Sequence, residues 1–143
     1  MTVPGALSRP AVTLPLRRRV ITRFAVSLAR LLALLPPRRI RSVLSLLRLG
    51  ATPARYEEAK AARDAVLAIS LACLGPKGCL PRSLATTLLC RMSGRWPSWC
   101  VGIRNLPPFG AHAWVEADGR LVDENMPDRY LSRLIVVPPK GLK

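Results

Sequence analysis

Residues 110–124 read GAHAWVEADGRLVDE, and their periodicity decides the fold class. Alternate residues of a strand share a face, so His112, Trp114 and Glu116 point one way and Ala111, Ala113 and Val115 the other. Asp118-Gly119 is a two-residue hairpin turn signal. With that turn, Ala117 pairs with Arg120, Glu116 with Leu121, Val115 with Val122 and Trp114 with Asp123. Asp123 then shares the face of His112, the only histidine in the chain, as its diagonal neighbour. Asn125 falls opposite the imidazole, and a one-residue slip would bring Glu124 to the face instead of Asp123.

Outward from this hairpin the same alternation continues. WCVGIRN (99–105) reads as a strand before it, GAHAWVEA (110–117) and RLVDE (120–124) form its arms, and SRLIVV (132–137) is a fourth strand, stopped by Pro138-Pro139. Upstream the period is helical. CLPRSLATTLLCRM (79–92) carries Leu80, Leu84, Leu88 and Met92 as a four-residue stripe, with Pro81 in the first turn and Ser93-Gly94 closing it. Before it, Thr52 is a candidate cap, Pro53 suits the first helical position, and Glu57 and Glu58 suit the positive end of a helix running to about Leu74. Helices first and an antiparallel sheet afterwards predict an α+β domain.

The first 50 residues differ in kind. They hold ten arginines and neither acid nor lysine, which gives this third of the chain most of the formal charge of +15. Residues 1–16, with three prolines, read as a flexible tail. Residues 17–35 carry Val20, Phe24, Leu28, Leu31, Leu32 and Leu35 as a helical stripe, with Arg23 and Arg30 off it. Pro36-Pro37 breaks that helix and RRIRSVLSLLRLG continues as a second amphipathic one. The organisation expected is therefore a tail at 1–16, basic amphipathic helices at 17–50 and the main domain at 51–143. The helices either pack on that domain with their arginines in water or dock an acidic partner or an anionic membrane surface.

Composition excludes several classes. Half the residues are hydrophobic, so a packed core forms and wholesale disorder does not. Arg23 and Arg30 interrupt the apolar run at 20–35, which argues against both a signal peptide and a membrane span. The chain is expected in the cytoplasm with reduced thiols. Cys73, Cys79, Cys90 and Cys100 have no paired CxxC spacing, and one histidine does not complete a zinc set with them. No metal and no cofactor are expected.

Cys79 occupies a special position among the four. A helix N-terminus exposes unpaired amides and carries positive partial charge, and both favour a thiolate. The same amides can stabilise an oxyanion on an attacked carbonyl. Cys73, Cys90 and Cys100 lie within apolar helical or strand runs and are expected in the core. A catalytic imidazole needs one nitrogen fixed by a partner while the other meets the nucleophile. That makes Asp123 the first choice of partner for His112 and Asn125 the second.

Two blocks, CLPRSLATTLLCRMSG (79–94) and VGIRNLPPFGAHAWVEADGRLVDE (101–124), resemble the transglutaminase-like cysteine peptidases of lasso-peptide biosynthesis, the catalytic half of the lasso B protein. The resemblance implies a papain/transglutaminase-like core, its nucleophile helix packed on a small antiparallel sheet and preceded by N-terminal helices. It implies a Cys-His-Asp triad of Cys79, His112 and Asp123. It implies removal of the leader from a precursor peptide, a separate leader-recognition protein and an ATP-dependent macrolactam cyclase; nucleic acid is not expected as a partner. The chain contains no glutamine, so the oxyanion hole of papain-type enzymes must be completed otherwise, with Trp114 N–H as one candidate. A peptide transglutaminase or amidase on the same scaffold, or a non-catalytic basic binding protein, are the alternative readings.

Overall fold

The computed structural model describes residues 14–70, 78–105, 107, 109–122 and 128–140. The chain runs α1 (Leu16–Leu32), α2 (Pro37–Leu47), β1 (Thr52–Pro53), α3 (Tyr56–Ile69), α4 (Cys79–Met92), β2 (Arg95–Trp96), β3 (Ser98–Arg104), β4 (Gly110–Ala117), β5 (Arg120–Leu121), a 3₁₀ turn (Asp128–Tyr130) and β6 (Leu131–Val137). The main sheet has the order β5-β4-β3-β6, and β3 pairs antiparallel with both neighbours. This is the α+β architecture that the change of period predicts.

The hairpin forms in the expected register. Asp118 and Gly119 both take positive φ, 53° and 71°, as a type I′ turn requires. Ala117 pairs with Arg120 and Glu116 with Leu121, and the Val122 amide donates to the Val115 carbonyl at 3.1 Å. Asp123, Glu124 and Asn125 lie outside the described residues, as does Cys73. The turn also reaches across the molecule: the Tyr56 amide donates to Asp118 Oδ2 at 2.7 Å, which places a carboxylate at the positive end of α3. The Arg120 guanidinium lies 4.0 Å over the Tyr56 ring.

One core joins the helices to one sheet face. Ala25 and Ala29 of α1, Ile40 and Leu44 of α2, Ala59 and Val66 of α3, Leu84 and Leu89 of α4, and Trp96, Trp99, Val115 and Val137 all belong to it. The opposite sheet face carries a second, smaller cluster of Cys100, Trp114 and Leu131. Gly102 lies beside it for a steric reason. A Cβ there would run into the Ser132 carbonyl oxygen and come within 3.0 Å of the Trp114 ring, at the point where the β3–β6 register shifts.

Three expectations are corrected. Thr52 does not cap a helix. Its amide donates to the Gly94 carbonyl and that of Ala54 to the Trp96 carbonyl, so Thr52–Pro53 becomes a short parallel strand against Arg95–Trp96. α3 starts at Tyr56, where Glu58 Oε1 accepts from the Arg55 amide at 2.9 Å. Second, the stripe of Leu80, Leu84, Leu88 and Met92 does not mark the limits of what α4 buries. Every residue from Arg82 to Cys90 is buried, and the exposed residue of the expected stripe is Met92. The helix is central, enclosed by α1, α3 and the sheet. Third, α1 packs through Thr22, Ala25, Val26 and Ala29, while Val20, Phe24 and Leu31 of the expected stripe face water. Small residues let α1 approach α4 closely, while Leu28, Leu32 and Leu35, the other half of the expected stripe, are partly buried against the same core.

Candidate active site

Cys79 is the first residue of α4, after Gly78, whose carbonyl accepts from the Arg82 amide at 2.9 Å. Pro81 has no amide to donate, so Cys79 and Leu80 supply the amides exposed at the helix mouth. The sulfur is half-buried. It is set against the start of β4, where it accepts hydrogen bonds from the His112 side chain and the Ala113 backbone. The second contact follows from the hairpin register. In an antiparallel strand, residues two apart aim their amide and carbonyl at the same edge. Since the Val115 carbonyl is used by Val122, the Ala113 amide opens on that edge, away from β3. Burial acts against ionisation of the thiol. The hydrogen bonds from His112 and Ala113, with the charges of His112 and Arg82, outweigh it and hold the group below its ordinary value.

His112 is buried, its ring stacked on Trp114 with centroids 5.7 Å apart and planes 18° from parallel. Trp114 is in turn fixed from behind. Its indole N–H donates to Glu116 Oε2 at 2.8 Å, and the same oxygen accepts from Arg133 Nε and Nη2, both at 2.7 Å. The Cys100 thiol adds a longer contact of 3.4 Å. A carboxylate with this many donors holds the strand's side chains in one rotamer. The Trp114 indole is thus committed to Glu116, and its backbone amide faces β3. It is no oxyanion donor, which corrects that expectation; the Cys79 amide remains. Arg104 Nη2 lies 3.2 Å from His112 Nδ1, reaching diagonally past Gly110, its own pairing partner, which offers no side chain.

Of the three residues expected to act together, the structure brings Cys79 and His112 into contact; Asp123 lies outside the described residues. Sequence reading missed Ala113, because a backbone donor has no residue signature. It missed Arg104, a contact created by cross-strand register. Arg82 had a legible signal, since three positions after Cys79 it lies on the same side of the helix. Arg82 and Arg63 are both buried and line a small pocket with Ala113 and Val122, and the Arg82 charge adds positive potential at the sulfur. Of the other cysteines, Cys90 and Cys100 are described, and both are buried in the core. Burial raises the Cys90 thiol to about 12. Burial, with the Glu116 carboxylate, pushes Cys100 up as well. Among the described residues no group of three or more His, Cys, Asp or Glu could hold a metal ion, and no helix is long and apolar enough to cross a membrane.

A helix-mouth thiol held by an imidazole from the neighbouring strand, on an α+β core, defines the papain-like class of folds. A family model described as the transglutaminase-like superfamily matches residues 22–136, and the chain belongs to that superfamily. The match begins within α1, so it takes in the basic helices as well as the sheet. Neither the comparison with curated proteins nor that with solved structures finds a match.

Proposed function

We propose that this chain is a cysteine peptidase that removes the leader from a lasso-peptide precursor. The observation that carries the enzymatic reading is the Cys79 sulfur at the mouth of α4, hydrogen-bonded by His112 and held below the usual thiol range. The likeness of the 79–94 and 101–124 blocks to lasso leader peptidases supports the substrate. In this reading the Cys79 thiolate adds to the carbonyl carbon of the last leader residue. The oxyanion is met by the Cys79 amide. As the C–N bond breaks, His112 passes a proton to the departing amine and frees the core peptide. Water then adds to the thioester, giving a proton to His112, and the leader leaves as a carboxylic acid while the thiol is restored. Asp123 is the proposed partner that orients the imidazole. The freed amine is the substrate of a separate ATP-dependent cyclase that closes the macrolactam. A separate recognition protein presents the leader, and the cytoplasm, which keeps Cys79 reduced, is the proposed place of action.

The test is incubation of the protein with the precursor peptide and recognition protein encoded beside it, followed by mass spectrometry. Wild type yields leader acid and free core, and Cys79→Ala and His112→Ala leave the precursor intact. Unchanged cleavage by Cys79→Ala would overturn the proposal. A product short of one ammonia or joined to an amine, in place of one hydrolysed at the leader–core bond, would replace the peptidase with an amide-transfer enzyme.

A further inference from the structure

α1 is apolar on two faces, and the fold uses one. Thr22, Ala25, Val26 and Ala29 are buried against the core. On the outside, Leu16 is 76% exposed, Val20 59%, Phe24 57% and Leu31 64%. At ~100° per residue these four fall within an arc of about 80°. Leu34, just past the helix end, is also exposed and extends the line to roughly 27 Å at 1.5 Å per residue. Arg17 borders this stripe on one side and Arg19, Arg23 and Arg30 on the other, all exposed. The chain has no acidic residue before Glu57. The stripe is therefore edged by three arginines along one flank, and on the other by Arg17 at the first turn and then by Ile21 and Leu28, which pack against the core.

We infer that the outward face of α1 seats the protein on an anionic lipid surface. A helix lying in a membrane interface buries an apolar face at the acyl boundary and keeps cations beside it at headgroup level. Arginine stems can lie along the apolar line while their guanidinium groups reach phosphate. A sheet of anionic headgroups offers the uniform negative potential that matches a border whose charges are all positive. A protein groove presents apolar area inside a rim of mixed polarity. The helix is convex and its line one residue wide, which a fluid surface can follow without a preformed groove. The inference does not rest on the proposed peptidase activity, because every residue it uses lies outside the site.

The test is sedimentation of the full chain with vesicles of phosphatidylcholine containing about one-third phosphatidylglycerol, against vesicles of phosphatidylcholine alone. Wild type binds the anionic vesicles and not the neutral ones. Phe24→Glu with Leu31→Glu lowers affinity at least tenfold, and each of Arg19→Gln, Arg23→Gln and Arg30→Gln lowers it about fivefold. Because these positions are exposed, the variants keep the near-ultraviolet circular dichroism and the Cys79 alkylation rate of wild type. Absence of binding to anionic vesicles would overturn the inference, as would binding that the glutamate pair leaves unchanged. So would a dimer that the glutamate pair dissociates, which would mean that a second copy covers the face. Capture of the recognition protein through Phe24 and Leu31 without vesicle binding would assign the face to a protein and overturn it equally.

Discussion

At Cys79 opposing effects meet on one atom. Burial favours the thiol, while the His112 and Ala113 hydrogen bonds and the nearby charges favour the thiolate, and the second group wins. The sign for reactivity follows directly: the alkylation rate of Cys79 by iodoacetamide should rise with pH through a midpoint below that of a free thiol. His112→Ala removes a donor and a charge while leaving the burial, so its midpoint should move upward, toward or past the free-thiol value. An unchanged midpoint would mean that His112 does not hold the sulfur. Cys90 gives the opposite pH signature. Its thiol is raised to about 12, so between the free-thiol value and that limit the unfolded chain releases a proton that the native chain retains. Stability therefore falls as pH rises through that window, by at most about 1.4 kcal/mol per pH unit for this one group. Urea denaturation near pH 8 and again above pH 10 should show a smaller drop for Cys90→Ala than for wild type. The comparison uses the pH dependence and is independent of the cavity that the alanine leaves.

At the scale of elements, the β4–β5 hairpin does two jobs through one residue. Asp118 takes the left-handed conformation of the turn and accepts the Tyr56 amide at the start of α3. Asp118→Ala loses both the local polar side chain that tolerates positive φ and the carboxylate at the helix end, an expected cost of about 1–3 kcal/mol. Asp118→Asn keeps the turn and loses only the charge, so it should cost less. An Asp118→Asn variant as stable as wild type in urea denaturation would remove the electrostatic contribution, and equal losses for the two variants would remove that of the turn. The hairpin was readable because its turn chemistry is local to Asp118-Gly119, and the pairing of Glu116 with Leu121 follows from it. Cys79 was readable for the same reason, as Pro81 and Gly78 mark a helix start within four residues. The beginning of α3 was not, because the amides of Thr52 and Ala54 are taken by Gly94 and Trp96 from about 40 residues away. Periodicity likewise reveals that α1 carries an apolar stripe at Val20, Phe24 and Leu31. It does not reveal that Ala25 and Ala29 form the better surface for α4, since that depends on how near the partner helix comes. The contact of Arg104 with His112 belongs to the same non-local kind.

For the whole molecule, the basic helices share one core with the helix that carries the site. Ala25 and Ala29 of α1 and Ile40 and Leu44 of α2 are almost wholly buried, in one cluster with Leu84 and Leu89 of the helix that begins with Cys79. Further ties reinforce the packing. Arg48 Nη1 donates to the Pro138 carbonyl at 2.9 Å. Arg91 of α4 donates from Nε and Nη2 to the Leu47 and Leu49 carbonyls, satisfying acceptors at the end of α2. A chain cut to residues 51–143 would keep Cys79, His112 and the sheet yet strip one long side of α4 of its cover. Leu84 and Leu89 alone would each forfeit a contribution of about 1.5–3 kcal/mol to the extent that they become exposed, against a whole-domain stability of about 5–15 kcal/mol. The fragment is therefore expected to lose cooperative thermal unfolding and, with it, the lowered midpoint of Cys79 alkylation. A 51–143 fragment that melts in a single sharp transition and keeps the wild-type alkylation profile would mean that α1 and α2 are an appendage, and that the position of the sulfur is set by α3, α4 and the sheet alone.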